Sequence, residues 1–275
     1  MEYGIFVHDF APLPLDPRVV CTSSWRDILP PGLLRAIYFG SEFCEFLLPD
    51  AALVSRYCVH ARDAGVEAVL LTPVATPGGL VRITQLLTEL AAAGDAPAVV
   101  FNDWGVATKL REAFPALERR AGRLINRGIR DPRLMAKESL LVDDSGERGR
   151  RLRTMLKGFG VSALETDCDL EGGFLGDGAE GLQRVLYLPY AFAASGRNCL
   201  IKADNKQTID SCFTKGLNSA CSGFCRVESH RIDRSDTDLS LWRAGNTVFF
   251  EVPKSRAKTH IDQADRIVIH ERPTP

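Results

Sequence analysis

Residues 65–103 read GVEAVLLTPVATPGGLVRITQLLTELAAAGDAPAVVFND and contain one complete unit of strand, helix and strand. The segments VEAVLLTPV and APAVVFND are nearly continuous apolar runs, which is typical of parallel strands that are buried on both faces. Between them, residues 79–93 have the apolar spacing of an amphipathic helix, and Gly94 follows the end of that helix. Two strands joined in this way predict a parallel sheet.

The same alternation continues on both sides of this unit. Upstream, residues 35–40 (RAIYFG) predict a buried strand and residues 51–64 predict a helix that stops at Gly65. Downstream, the pattern predicts helices at 104–113 and 147–158 and strands at 122–127, 161–170, 181–190, 240–252 and 266–271. We therefore expect an α/β fold, a TIM-barrel-like parallel βα barrel, complete or incomplete, with a Cys-rich loop after a late strand.

Composition narrows the class of protein. The chain has 275 residues, of which 45% are hydrophobic and 25% are charged, as in ordinary globular proteins. The net charge of -1 argues against a general electrostatic grip on nucleic acid. No apolar run approaches the roughly 20 residues that cross a bilayer, and residues 1–18 lack the pattern of a secretory signal. We expect a cytoplasmic protein without a membrane segment, in which the eight cysteines serve as metal ligands or core thiols.

Proline spacing suggests how the chain is divided. Residues 1–34 carry Pro12, Pro14, Pro17, Pro30 and Pro31, which predicts an irregular N-terminal arm. We expect residues 35–275 to form a single barrel-like domain that includes a Cys-rich segment at 195–226 and a β-rich part at 238–270. The last residues, ERPTP, are predicted to fray.

Residues 189–226 are the stretch richest in cysteine. They read PYAFAASGRNCLIKADNKQTIDSCFTKGLNSACSGFCR and contain Cys199, Cys212, Cys221 and Cys225. The stretch has almost no apolar periodicity, so we expect a ligand loop rather than a core element. Cys221 and Cys225 are separated by three residues and can turn two thiolates toward a common centre, with Cys199 and Cys212 reaching it from upstream.

Polar residues close several of the predicted strands. They are Asn102, Asp103, Asn126 and Glu165. At the carboxyl edge of a parallel sheet such groups converge and can orient a substrate or a water molecule. The alternative is that the Asn and Asp residues cap the helices that follow them. Arg197 can pair with an anionic substrate or, equally, order its own loop.

Five segments occur in an order that resembles the peptidase U32 family. They are IYFGSEFC (37–44), VFNDWGVATKL (100–110), GRLINR (122–127), LPYAFAASGRNCLI (188–201) and ACSGFCR (220–226). The chain is most similar to the UbiV-like branch of that family, whose UbiU and UbiV members act in oxygen-independent ubiquinone biosynthesis. The resemblance implies a 4Fe-4S cluster, hydroxylation without molecular oxygen, with prephenate as the oxygen source, and a UbiU-like partner chain in a heterodimer.

Carried onto this sequence, the resemblance implies that Cys44, Cys199, Cys221 and Cys225 are the cluster ligands. The gap between Cys199 and Cys221 is longer than the UbiV-like pattern implies, so Cys212 is an alternative ligand. Four thiolates also suit zinc, and spacing does not choose between the two metals. Cys44, alone after a strand, can equally be a small buried apolar residue.

The functional hypotheses come from different classes. The first is an iron–sulfur protein of the UbiU/UbiV type, an oxygen-independent hydroxylase or a subunit of one, with Glu165 and Asn126 beside the cluster. The second is a non-catalytic metal-binding subunit of a heterodimer, and the third is a U32-type peptidase. RNA modification, a fourth, is disfavoured by the near-neutral charge, and the sequence contains no H-E-x-x-H or G-x-S-x-G motif that would support hydrolysis.

Overall fold

Eight parallel strands close into a barrel. The computed structural model describes residues 1–126, 128, 130–135, 147–170, 181–197, 199, 221, 223–226 and 228–275. The barrel strands are β1 (Glu2–Phe6), β2 (Leu33–Gly40), β3 (Glu67–Thr72), β4 (Ala98–Phe101), β5 (Arg119–Ala121), β6 (Val161–Thr166), β7 (Gln183–Leu188) and β12 (Arg266–Ile269). Their order around the barrel is β1-β12-β7-β6-β5-β4-β3-β2. The prediction of a TIM-barrel-like fold is confirmed.

The helices in the described part of the chain run between barrel strands. They are α1 (Ser23–Arg26), α2 (Ala51–Asp63), α3 (Pro77–Ala93), α4 (Trp104–Ala113), α5 (Pro132–Met135), α6 (Glu147–Gly158) and α7 (Lys254–Ile261). Asp50 and Thr76 cap α2 and α3 by accepting hydrogen bonds from Leu53 N at 2.8 Å and Gly79 N at 3.1 Å. No helix within the described residues has both the length and the apolar character needed to cross a membrane.

A second sheet lies between β7 and β12 in the chain. Its strands are β8 (Tyr190–Ser195), β9 (His230–Ile232), β10 (Leu241–Ala244) and β11 (Thr247–Glu251). They pair antiparallel in the order β8-β11-β10-β9. Phe192 and Phe249 from this sheet pack on Phe43, which follows β2, so the sheet lies against the carboxyl end of the barrel.

Side chains alternate between the two faces of every barrel strand. One apolar set fills the interior, and it consists of Phe6, Ala36, Tyr38, Val69, Leu71, Ala98, Val100, Ala163, Val185, Tyr187 and Val268. The other set packs with the helices in a larger core. Gly4 belongs inside by the same alternation, and a Cβ atom there would collide with the Tyr38 ring. The absence of a side chain on Gly4 therefore lets Tyr38 lie across the barrel.

Ion pairs fill the amino-terminal end of the barrel. Arg266 donates to Glu2 at 2.9 Å and to Glu67 at 2.7 Å. Arg120 pairs with Glu67 and donates to the Tyr38 hydroxyl at 3.2 Å. Because these arginines are almost fully buried, their charges need the carboxylates from other strands.

Several predictions of local structure were wrong. Residues 1–34 are not simply an irregular arm, because Glu2–Phe6 is a barrel strand that pairs with β2 and β12. The strand predicted at 122–127 lies earlier, at Arg119–Ala121. The predicted strand at 240–252 is the hairpin of β10 and β11. The last residues do not fray, since Pro275 is buried and its carbonyl accepts a hydrogen bond from the Ser41 hydroxyl at 2.8 Å.

Candidate functional site

Four cysteines approach one another at the carboxyl end of β2. Cys44 precedes the short 3-10 helix Glu45–Leu47, and Cys225 lies in another, Phe224–Arg226. Cys44, Leu47 and Cys225 form one buried cluster. Cys199 and Cys221 lie close enough to act electrostatically on both Cys44 and Cys225. Segments that are far apart in sequence thus bring their thiols to one region, whereas Cys212 lies outside the described residues.

Burial and mutual repulsion act on these thiols together. Burial raises the pKa of Cys225 to about 12, and the neighbouring Cys199, Cys44 and Cys221 raise it as well. The pKa of Cys44 is raised in the same way, first by burial and then by Cys221 and Cys199. Without a positive centre nearby, Cys44 and Cys225 are therefore protonated at neutral pH.

The four thiols are not arranged around a single metal ion. Among the described residues, which include all four cysteines, no three His, Cys, Asp or Glu side chains are placed to share one ion. A mononuclear zinc site needs each sulfur about 2.3 Å from the same atom. As the side chains stand, the four thiols do not form such a site.

The hairpin turn between β10 and β11 fixes two of the cysteine segments. Asn246 donates to the carbonyl of Phe43 at 2.7 Å and to that of Gly196 at 2.6 Å. Gly245 has a φ of +61°, and a Cβ atom there would lie 3.3 Å from Cys225 Sγ. The turn therefore holds the chain beside Cys44 and near Cys199, and it packs directly on Cys225.

A pocket opens beside the cysteines. Its volume is about 290 Å³, and the residues that line it include Phe6, His8, Phe39, Leu47, Tyr57, Arg226 and Arg272. Leu47 contributes to both the pocket wall and the cysteine cluster. Arg226 follows Cys225 directly in the chain. The cysteine cluster is thus joined through Leu47 and Arg226 to an accessible space with aromatic walls and two arginines, although none of the cysteines lines that space.

A buried ion cluster occupies the mouth of the barrel. Arg123 is fully buried, pairs with Glu42 and donates to Asp167 at 2.9 Å. Burial opposes the charge on Arg123, but Glu42 and Asp167 outweigh it and hold the pKa of the guanidinium above its ordinary value. Arg130 approaches Asp167 at 3.6 Å from the other side. Sequence reasoning did not single out Arg123 or Glu42, because nothing local marks them as partners.

Glu165 lies inside the barrel. It is fully buried, and neither carboxyl oxygen has a hydrogen-bond partner among the described residues. Burial raises the pKa of Glu165 to about 8. Asn126 donates to the Glu165 carbonyl at 3.5 Å and accepts from Arg130 at 2.9 Å, so it connects β6 with the loop after β5.

The other predicted polar residues have structural contacts. Asn102 donates to the Thr72 carbonyl and accepts from Leu124 N, both at 3.1 Å, which positions the loop that carries Arg123. Asp103 accepts from Gly105 N at 2.7 Å and caps α4, the alternative that the sequence left open. Arg197 is exposed after β8. These contacts bring Asn102 to the barrel mouth but do not place Asp103 or Arg197 in the pocket.

The other three described cysteines belong to the main core. Cys21, Cys58 and Cys168 are buried among its apolar side chains. Burial raises the pKa of Cys58 to about 11 and that of Cys168 well above its ordinary value. They are packing residues in this structure.

Comparison with known proteins gives weak similarities. No family model matches the chain, and no curated protein matches it. Among solved structures, the U32 peptidase Mk0906 is 13% identical, with a TM-score of 0.46 and coverage of 100% of this chain and 93% of that one. A chitinase from Trichuris suis, TsES1, is 9% identical, with a TM-score of 0.36 and coverage of 97% and 90%. A class V chitinase from Nicotiana tobaccum is 9% identical, with a TM-score of 0.30 and coverage of 86% and 75%.

Proposed function

We propose that this protein is an iron–sulfur protein of the UbiU/UbiV type within the U32 family. Cys44, Cys199, Cys221 and Cys225 hold a 4Fe-4S cluster, and the protein takes part in an oxygen-independent hydroxylation or a related redox modification of a small molecule. The observation that carries this proposal is the approach of four thiols from distant segments beside an accessible pocket.

The resemblance to the U32 family favours a cluster over zinc. A single ion needs all its sulfur ligands within bonding distance of one atom, and the described side chains offer no such group. A 4Fe-4S cluster takes one thiolate on each of four irons, so its ligands stand farther apart. Four cysteines match that number of ligands, and the resemblance selects the cluster.

The electrostatics of the site also suit a cationic inorganic centre. Burial and mutual repulsion raise the pKa of Cys44 and Cys225, so these thiols lose their protons only when a metal centre offsets the charge. Bound iron supplies redox or Lewis-acid chemistry next to the pocket. The protein's own contribution is the burial that excludes water and the hairpin turn that fixes the ligand segments.

The pocket favours a role in chemistry over a purely structural staple. A structural metal site is closed, whereas a catalytic one has an open neighbour for the substrate. Leu47 contacts both Cys44 and the pocket, and Arg226 enters the pocket wall directly after Cys225. Arg226 and Arg272 can hold a polar or anionic small molecule against the aromatic wall.

Other parts of the proposal extend the resemblance. Glu165 is the group that takes up or gives a proton during the reaction, and Asn126 positions the strand that carries it. Asn102, Asp103 and Arg197 remain proposed substrate contacts, of which Asn102 has the strongest support from its place at the barrel mouth. The U32 resemblance also supports a cytoplasmic protein that pairs with a UbiU-like chain.

Iron and sulfide analysis of single variants tests the ligand set. The protein is purified anaerobically as wild type and as Cys→Ala variants at positions 44, 199, 212, 221 and 225, with the same metal loading. We expect iron and acid-labile sulfide to fall sharply at 44, 199, 221 and 225 and to stay at the wild-type level at 212. If Cys212→Ala loses its iron and Cys199→Ala keeps it, Cys212 is the ligand in place of Cys199.

The matched control is Cys58→Ala. Cys58 is 7% exposed, as is Cys225, but it packs in the main core away from the proposed ligands. Its iron content should equal that of the wild type. Equal iron loss in Cys58→Ala and Cys225→Ala, or zinc in place of iron in the anaerobic wild type, would refute the proposal.

A further inference from the structure

Three buried polar side chains inside the barrel carry atoms without a hydrogen-bond partner among the described residues. The side chains are those of Glu165, Tyr187 and His270. The unpartnered atoms are both carboxyl oxygens of Glu165, the hydroxyl oxygen of Tyr187 and Nε2 of His270. All three residues are at most 4% exposed. Buried polar atoms are nearly always paired, with protein groups or with ordered water. Three such residues in one part of a barrel are the places where internal water would supply the missing hydrogen bonds.

The three residues come from adjacent strands. Glu165 is on β6, Tyr187 is on the neighbouring β7, and His270 directly follows β12, which pairs with β7. The Tyr187 and His270 rings have centroids 5.1 Å apart. The Tyr187 hydroxyl faces the Glu165 carboxyl closely enough to lower the pKa of Glu165, although neither group has a partner within hydrogen-bond distance among the described residues. The row therefore crosses three strands from the barrel interior toward β1.

The row continues to the pocket through the end of β1. The His270 ring stacks on Phe6, with centroids 5.2 Å apart. On its other side Phe6 contacts His8, with centroids 4.8 Å apart. Phe6 and His8 both line the pocket, and His8 is exposed. One end of the row is thus sealed inside the barrel and the other end meets solvent.

We propose that Glu165 is a buried proton store and that Tyr187, His270 and His8 carry its proton to and from the pocket, with internal water bridging the unpartnered atoms. Tyr187, His270 and His8 have the needed chemistry, because a phenol and a neutral imidazole each offer one donor and one acceptor. Phe6, which lies between the two histidines, offers neither, so internal water carries the proton past its ring. The proton leaves the Glu165 carboxyl as the next group accepts it, and His8 releases a proton to the pocket, so no redox partner is needed. The proposed function explains what the proton is used for, but the existence of this route does not depend on it.

The charged surroundings are consistent with a proton held on Glu165. The groups that act on the Glu165 carboxyl come from four strands and the loop after β2, and they are Arg120, Arg266, Glu42, Tyr187 and Tyr38. Burial outweighs the two arginines and raises the pKa of Glu165 to about 8. His270 faces Arg123, His8 and Tyr187, and burial lowers its pKa well below the ordinary value, so the imidazole is neutral.

Infrared spectroscopy of the protein without a cluster tests the proposal. A protonated carboxyl group has its own C=O stretching band, which shifts when the proton is exchanged for deuterium. The wild type at pH 7 should show this band, Glu165→Gln should lose it, and the band should shift quickly after transfer to deuterated buffer. Tyr187→Phe and His270→Phe should slow that shift at least about tenfold, the factor that corresponds to a barrier raised by roughly 1.4 kcal/mol.

Tyr38→Phe is the matched control for the route. Tyr38 also acts on Glu165, and its ring lies 6.0 Å from that of Tyr187, but its hydroxyl accepts from Arg120 on the side away from the pocket. It should exchange at the wild-type rate. Absence of the band in the wild type at pH 7, or equal exchange rates in Tyr187→Phe, His270→Phe and Tyr38→Phe, would overturn the proposal. Because all of these samples are measured without a cluster, the results do not depend on which cysteines are metal ligands.

Discussion

Glu165 shows how a single residue can couple the fold to pH. It is fully buried in the barrel, and burial raises its pKa from 4.5 to about 8. The folded protein therefore keeps a proton that the unfolded chain releases between these two values. The contribution to stability is fully present below pH 4.5 and is lost as the pH rises through 8.

Glu165→Gln removes this pH dependence while keeping the shape of the side chain. We expect urea unfolding to give similar free energies of unfolding for wild type and variant at pH 5, and a more stable variant at pH 9. The difference should grow by roughly 1.4 kcal/mol for each unit of pKa shift. Glu89→Gln, at an exposed position on α3, should follow the wild type at every pH. Parallel curves for Glu165→Gln and wild type would contradict the assignment.

Arg123 is the residue whose loss should harm the fold most at the barrel mouth. Its guanidinium offsets Glu42 and Asp167, both of which are almost fully buried. Arg123→Met leaves two buried carboxylates without that cation and should lower the free energy of unfolding by about 3–5 kcal/mol at pH 7. Combining it with Glu42→Gln should restore part of the loss, which urea unfolding measures. A loss below about 1 kcal/mol would show that the cluster is not a paired charge network.

The β10–β11 hairpin is the element that connects the fold to the candidate metal site. Its turn contacts Cys225 through Gly245 and holds Phe43 and Gly196 through Asn246. One short element thereby sets the relation between segments that are about 150 residues apart in the chain. Rigid placement of ligands by such contacts is what a metal site requires.

Asn246→Ala should lower metal loading without removing a ligand. The variant loses both hydrogen bonds that the Asn246 side-chain amide donates, so the segments beside Cys44 and Cys199 are no longer held by the turn. We therefore expect less iron per chain after anaerobic loading and faster loss of iron to a chelator. Ser195→Ala is the control, because its hydroxyl accepts a hydrogen bond from Thr247 at 3.0 Å where β8 pairs with β11, and its loss leaves both hydrogen bonds of the Asn246 side chain in place. Equal iron retention in the two variants would show that the turn does not position the ligands.

At the scale of the whole molecule, local patterns predicted most of the barrel. The continuous apolar runs of β3 and β4 and the helical spacing of apolar residues in α3 predict these elements from the local sequence alone. β5 does not, because its Arg119 and Arg120 look like surface residues. Arg120 is buried since Glu67 and Glu118 reach it from elsewhere. β1 was not predicted for a related reason. Glycine is unusual in a buried strand, and Gly4 is explained only by the Tyr38 ring that packs against it in the fold.

Some parts of the candidate site could likewise be predicted from the sequence, and others could not. Cys199, Cys221 and Cys225 could be selected from sequence because thiols in one non-periodic segment are unusual, whereas Cys44 was selected only through the family resemblance. The fold brings all four near one another. The pocket could not be selected, since Phe6, Leu47 and Arg272 lie on separate segments that meet only after folding. Arg123 and His270 likewise gain their roles from partners on other strands. Sequence identifies unusual residue types, whereas shared surroundings require the fold.

X-ray absorption at the iron edge of the anaerobically loaded protein tests the central claim most directly. The account predicts that each iron is surrounded by sulfur and has iron neighbours, and that this signal is lost in the variants Cys44→Ala and Cys225→Ala but kept in Cys58→Ala. Iron bound by oxygen and nitrogen without iron neighbours, or an unchanged signal in Cys44→Ala and Cys225→Ala, would contradict the account.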